Sequence, residues 1–168
     1  MFKFFLPIIC VFIFSCGTNV IKGQYGLMVK LRSTFNTVQQ CNGDAQLLKD
    51  VENIFSAIIE KAIIKGFVKL KEEATKYMKG ITICRIPKPE KCCNGYVCNL
   101  EAITAVGCAS DGGFWFSETG HNDIKFSRET ILGLLKHESI HVIGFLLGYQ
   151  TDNDCNKSEW NKRIECDP

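Results

Sequence analysis

Three residues could do chemistry by their type and spacing: His137, Glu138 and His141, within Lys136-His137-Glu138-Ser139-Ile140-His141-Val142-Ile143-Gly144-Phe145. The order is His-Glu-x-x-His. On an α-helix, positions four apart share a face, about one turn apart, so both imidazoles can reach one metal ion. Glu138 lies one step round the helix, where it can orient a metal-bound water and take its proton. The ion this pattern implies is Zn2+, which lowers the pKa of a bound water to roughly 7. The bland alternative is a surface helix carrying two unrelated histidines.

The surrounding sequence argues for a buried helix over about 128–145. Ile131, Leu132, Leu134, Leu135, Ile140, Val142 and Ile143 make it apolar over most of its girth, and Ser127 is a plausible N-cap. Two imidazoles and a carboxylate on a buried helix need partners, and zinc would satisfy them.

A catalytic zinc also needs a third protein ligand. In the extended signature H-E-x-x-H-x-x-G-x-x-H, a glycine three residues past the second histidine turns the chain so that a third histidine reaches the metal. Gly144 holds the glycine position and predicts a structural turn, but Leu147 stands where the histidine would be. The other histidine, His121, lies in Gly120-His121-Asn122-Asp123, as a cleft residue or a plain turn residue. Beyond the helix, Asp152, Asp154, Glu159 and Glu165 are candidate oxygen ligands. Glu159 is the one placed nearest to where thermolysin-like enzymes carry a ligating glutamate. Asn156-Lys157-Ser158 is a glycosylation sequon, which puts Asn156 at the surface and sits awkwardly with Glu159 on zinc.

The elements that must position this helix follow from periodicity. Residues 25–35 alternate as a half-buried strand, with Tyr25, Leu27, Val29 and Leu31 on one side. Asp44 offers an N-cap, and apolar residues from Leu47 to Met78 recur at helical spacing, with a bend or break expected near Gly66. This long amphipathic helix reads as a core helix packed on a sheet, with a membrane-surface or partner-binding helix as the alternative. Residues 81–84, 102–108, 114–116 and 124–126 read as short strands, with a turn at Asp111-Gly112-Gly113 and a cysteine-stapled loop through Cys98.

Residues 1–17 read as a signal peptide: a basic start, an apolar run from Phe4 to Phe14, then Ser15-Cys16-Gly17. A lipid-bearing Cys16 is the rival. The rest, 18–168, reads as one domain. Eight cysteines remain: Cys41, Cys84, Cys92, Cys93, Cys98, Cys108, Cys155 and Cys166. Their even number in a secreted chain predicts up to four disulfides rather than a zinc knuckle. A net charge of +2 gives no reason to expect nucleic acid, and no stretch is long enough for a transmembrane segment.

With its continuation into Gly144-Phe145, the motif resembles the leishmanolysin-like family of metzincin zinc proteases. The resemblance is specific over the zinc helix and weaker over the upstream elements, where 120–126 would be the edge strand. It implies an α+β fold: a twisted mixed sheet with a long backing helix and a buried active-site helix. It also implies a secreted zinc metalloendopeptidase acting on protein or peptide substrates, with His137 and His141 as ligands and Glu138 as general base and acid. No histidine follows Phe145, and Met1, Met28 and Met78 all precede the helix, so the family's third ligand and methionine turn are missing. The chain therefore reads as the N-terminal half of such a domain, with proteolysis weakened or lost. Two alternatives stand beside this. One is an inactive homologue that binds a partner or acts as a decoy, through the amphipathic helix or an aromatic edge at Phe114-Trp115-Phe116. The other is a glutamate-zincin using Glu159.

Overall fold

A computed structural model describes residues 19–35, 37–69, 71–92 and 104–166. The signal-like start, most of the cysteine loop with Cys93 and Cys98, and the first residues of the strand expected at 102–108 lie outside the described residues.

The fold is α+β. A five-stranded mixed sheet runs in the order β1 (Val20–Lys22), β2 (Met28–Lys30), β3 (Thr82–Ile86), β7 (Gly113–Ser117), β6 (Gly107–Ser110). β2, β3 and β7 are parallel; β1 and β6 run antiparallel along the two edges. A second small ladder pairs β4 (Glu90–Lys91) with β5 (Thr104–Ala105). Helices α1 (Ala45–Ile64) and α2 (Lys71–Met78) make the crossover from β2 to β3.

The side chains of the central strands divide between two cores, as the period of two requires. Ile83, Phe114 and Phe116 face a helical layer that includes Val51, Phe55 and Ile59 of α1. Cys84, Ile86 and Trp115 face a smaller cluster with Cys41 and Cys108. A strand buried on both faces reads as a continuous apolar run, which is why β7 is Gly-Phe-Trp-Phe-Ser without alternation. Disulfides Cys41–Cys84 and Cys92–Cys108 tie this second face together. In the chain-entropy view, a loop of 43 residues closed at Cys41–Cys84 stabilises by about 4 kcal/mol.

Asp44 caps α1, its Oδ1 accepting the Leu47 N–H at 2.7 Å. The break expected near Gly66 is present: α1 ends at Ile64, and Gly66 takes φ +79°, a left-handed turn that suits glycine. Gly80 does the same after α2, at φ +93°.

Four expectations need correction. The strand expected over 25–35 is only Met28–Lys30, because Gln24–Gly26 curls into a 3-10 turn with Gly26 at φ +82°. β1, ahead of it, carries no strong alternation and was not expected. Residues 124–126 form no strand, only a single bridge between Thr119 and Lys125, since Asp123 turns the chain at φ 60°. The edge strand beside the active-site helix is β6 instead. Phe114-Trp115-Phe116 is not a surface edge but an interior strand. The apolar face of α1 is core, as expected of a helix packed on a sheet, and is not open to a partner. No helix among the described residues is long and apolar enough to cross a membrane.

Gly113 marks the tightest backbone approach in the sheet. It sits at φ +141°, and a Cβ there would overlap the Thr82 carbonyl oxygen of β3. Gly112, its neighbour in the turn, has open space. Gly113→Ala should therefore cost about 2–4 kcal/mol in urea unfolding, while Gly112→Ala stays within about 0.5 kcal/mol. Equal effects would show that the approach is not tight.

Candidate metal centre

The helix carrying the motif, α3 (Arg128–Leu146), starts where the sequence places it. Ser127 Oγ accepts the Thr130 N–H at 3.1 Å, and Glu129 adds a favourable charge to the first turn. Its first half is largely exposed. From Leu135 to Gly144 it is almost wholly buried, between α1 and the sheet.

The i, i+4 spacing brings the two imidazoles together. His137 Nε2 and His141 Nε2 lie 3.2 Å apart, with ring planes at 80°. Behind His137, Nδ1 is 2.6 Å from Glu165 Oε1. An N–H at Nδ1 donates to that carboxylate, which fixes the tautomer and leaves a lone pair on Nε2. In front, Asn153 Oδ1 lies 3.3 Å from His137 Nε2. With His137 neutral, Nε2 and the Asn153 carbonyl are both acceptors facing each other, an arrangement a cation between them would relieve.

The distances fit zinc. Two nitrogens bound tetrahedrally at about 2.0–2.1 Å lie roughly 3.3–3.4 Å apart, and the observed separation is 3.2 Å. Both rings open on a cleft of about 630 Å³, whose walls include Glu138, Phe145, Thr151, Asp152 and the β6 residues Gly107 to Ala109. Phe145 is partly exposed at this cleft and stacks on His141 at 6.3 Å.

Glu138 is buried at the floor of the cleft, 6% exposed. Its carboxylate lies against Gly107 on β6, where any Cβ would overlap it. Burial pushes its pKa up to about 7; the His137 charge opposes this and Glu165 reinforces it. The histidines split. Burial works against charging His137, but the hydrogen bond and charge of Glu165 outweigh it and raise its pKa. Burial, then the neighbouring His137, lower that of His141. Glu165 is held low despite burial, by hydrogen bonds from Asn161 and His137.

The segment after α3 reaches this site because it folds back. Gly144 is not the turn. It lies inside α3, where a Cβ would come within 2.7 Å of Trp160 Nε1 and also overlap Thr151. The chain reverses at Gly148, φ +79°. Trp160 then lies on α3, its indole N–H donating to the Ile140 carbonyl at 2.9 Å and its ring stacked on Tyr149 at 5.3 Å. Trp160 belongs to α4 (Glu159–Asn161), which runs into a wider turn at Lys162–Cys166, and Cys155–Cys166 closes the loop. Cys155, Cys166 and Glu165 cluster, but both sulfurs are in the disulfide and Glu165 is on His137, so they make no ligand set of their own.

Of the other candidates, Glu159 points away from the cleft, 66% exposed and 3.8 Å from Arg163. It is not brought to the histidines, because α4 turns its Trp160 and Asn161 faces inward instead. Asp154 pairs with Lys157. His121 lines the cleft from an exposed turn. Asn156 is exposed, as the sequon expects. Asn153, Gly107 and Trp160 were not singled out from sequence. Asparagine is not a usual zinc ligand, and the roles of the other two depend on contacts across the fold.

The raised pKa of Glu138 predicts a pH dependence in the metal-free protein. Between its ordinary value of 4.5 and about 7, the folded state holds a proton that the unfolded state has lost. Stability from this group is thus full below pH 4.5 and falls as pH rises to about 7, by on the order of 3 kcal/mol. In urea titrations across that window, wild type should lose this amount relative to Glu138→Gln. A constant difference between the two proteins would show that Glu138 is not desolvated.

No family model, curated protein or solved structure matches this chain.

Proposed function

We propose that this protein is a secreted zinc-dependent endopeptidase of leishmanolysin-like, metzincin kind, hydrolysing peptide bonds in proteins. The observation that carries the reading is the pair of Nε2 atoms 3.2 Å apart on a cleft, with a buried carboxylate beside them. The signal-like start, three disulfides among the described residues and the mixed sheet backed by helices on one face support it.

Zinc, when bound, would acidify a water and polarise the scissile carbonyl. The chain supplies the rest. His137 and His141 would hold the metal, and Glu165 fixes the His137 ring. Glu138, buried on the cleft beside the imidazole pair, is the group placed to take and give a proton. It removes the proton from the attacking water and passes it to the departing amine. Its wall of helix and strand keeps bulk water from competing for that proton. Phe145 offers a flat apolar contact for a substrate side chain at the mouth.

The test uses oxidised, refolded protein. One zinc per chain should survive dialysis, a quenched-peptide library should be cleaved, and a chelator should stop cleavage until zinc is restored. Glu138→Ala should retain the zinc and lose about 10²–10⁴-fold in kcat. Zinc-loaded wild type that cleaves nothing in the library would overturn the reading.

A further inference from the structure

We infer that the third protein ligand of this centre is the side-chain carbonyl of Asn153, delivered by the folded-back segment, with Glu165 bracing His137 from the opposite side. The inference rests on the zinc reading above and specifies its coordination.

The two contacts sit at opposite ends of one ring. Glu165 Oε1 takes Nδ1 of His137 at 2.6 Å, and Asn153 Oδ1 stands 3.3 Å from Nε2. His141 Nε2 lies 3.2 Å from that same His137 Nε2, so Asn153 stands beside the paired nitrogens. The 3.3 Å between Asn153 Oδ1 and His137 Nε2 matches the roughly 3.3–3.4 Å between two donors that share one zinc at about 2.0–2.1 Å.

The loop is built to keep Asn153 there. Asp152 Oδ1 accepts the Asp154 N–H at 2.9 Å, and Asp154 Oδ1 accepts the Asn156 N–H at 2.9 Å, two successive side-chain-stabilised turns. Asn161, fully buried, ties both ends of the arrangement. Its Oδ1 accepts the Asp152 N–H at 3.0 Å, and its Nδ2 donates to Glu165 Oε2 at 3.0 Å. One buried amide therefore sets the position of Asn153 and of Glu165 together. The Cys155–Cys166 disulfide closes the same loop. Asp152 lines the cleft next door, with its Oδ1 engaged in the turn, and its charge favours a cation there.

Zinc affinity, read by competition with a chromophoric chelator, tests this without any activity assay. Asn153 is exposed, so its variants should fold. Asn153→Ala should weaken zinc at least about 10-fold, and Asn153→Asp, which places a charged oxygen at the same atom, should tighten it about 10-fold. Glu165→Gln should weaken it roughly 10–100-fold. In the Co2+-loaded protein, both Asn153 substitutions should change the visible absorption, which reports the ligand set. His141→Ala serves as the control for the zinc reading. If His141→Ala abolishes binding while both Asn153 variants leave affinity and spectrum unchanged, the inference falls and the zinc reading stands. If Asp152→Asn weakens zinc and Asn153→Ala does not, the ligand is assigned wrongly. Wild type that binds no zinc removes both.

Discussion

The hydrogen bond from the Trp160 indole to the Ile140 carbonyl is the contact on which the candidate site depends. Ile140 lies between His137 and His141, in the buried half of α3. A helix carbonyl has a second lone pair beyond the one used within the helix, and Trp160 takes it. The approach is possible because Gly144, one turn on, has no side chain in the way. A buried tryptophan withdraws about 150–250 Å² from water, a gross stabilisation of roughly 4–6 kcal/mol before ordering costs. That anchor holds the segment after Gly148 against the motif. Without it neither Asn153 nor Glu165 has a reason to be near His137.

The remaining parts serve the same end from other directions. Phe67, in the break between α1 and α2, packs edge-on against both Tyr149 and Trp160, and its carbonyl accepts the Tyr149 hydroxyl. Arg163 reaches the Lys65 carbonyl and lies over the Phe67 ring. The glycine that ends α1 thus also shapes the seat for the returning chain. On the sheet side, the parallel strands β2, β3 and β7 carry the core, while antiparallel β6 forms the wall opposite the imidazoles.

Much of this was legible where the cause is local. The period of α1, its Asp44 cap, the interruption at Gly66, the Ser127 cap and the i, i+4 pairing on α3 depend only on residues close in sequence, and each stands as expected. The misreadings share a different cause. Gly144 read as a turn because its motif is commonly followed by one, whereas here its lack of a side chain admits Trp160. Phe114-Trp115-Phe116 read as an edge because strand order is a property of the whole sheet, and no local pattern says that β6 lies outside β7. Glu165 was visible as an oxygen donor, but its contact with Nδ1 of His137 depends on a wide turn that no periodicity announces.

The meeting of Gly107 with Glu138 has a further consequence. The strand gives up a side chain at one position so that a carboxylate can lie flat against its backbone. The imidazoles stand apart from that contact. A single methyl group at position 107 would act as a wedge under the Glu138 carboxylate, displacing it while leaving the His137–His141 pair untouched. Under the proposed zinc-peptidase reading, holding a peptide and cutting it would be separable by one methyl group, since Gly107 touches the carboxylate and not the imidazole pair.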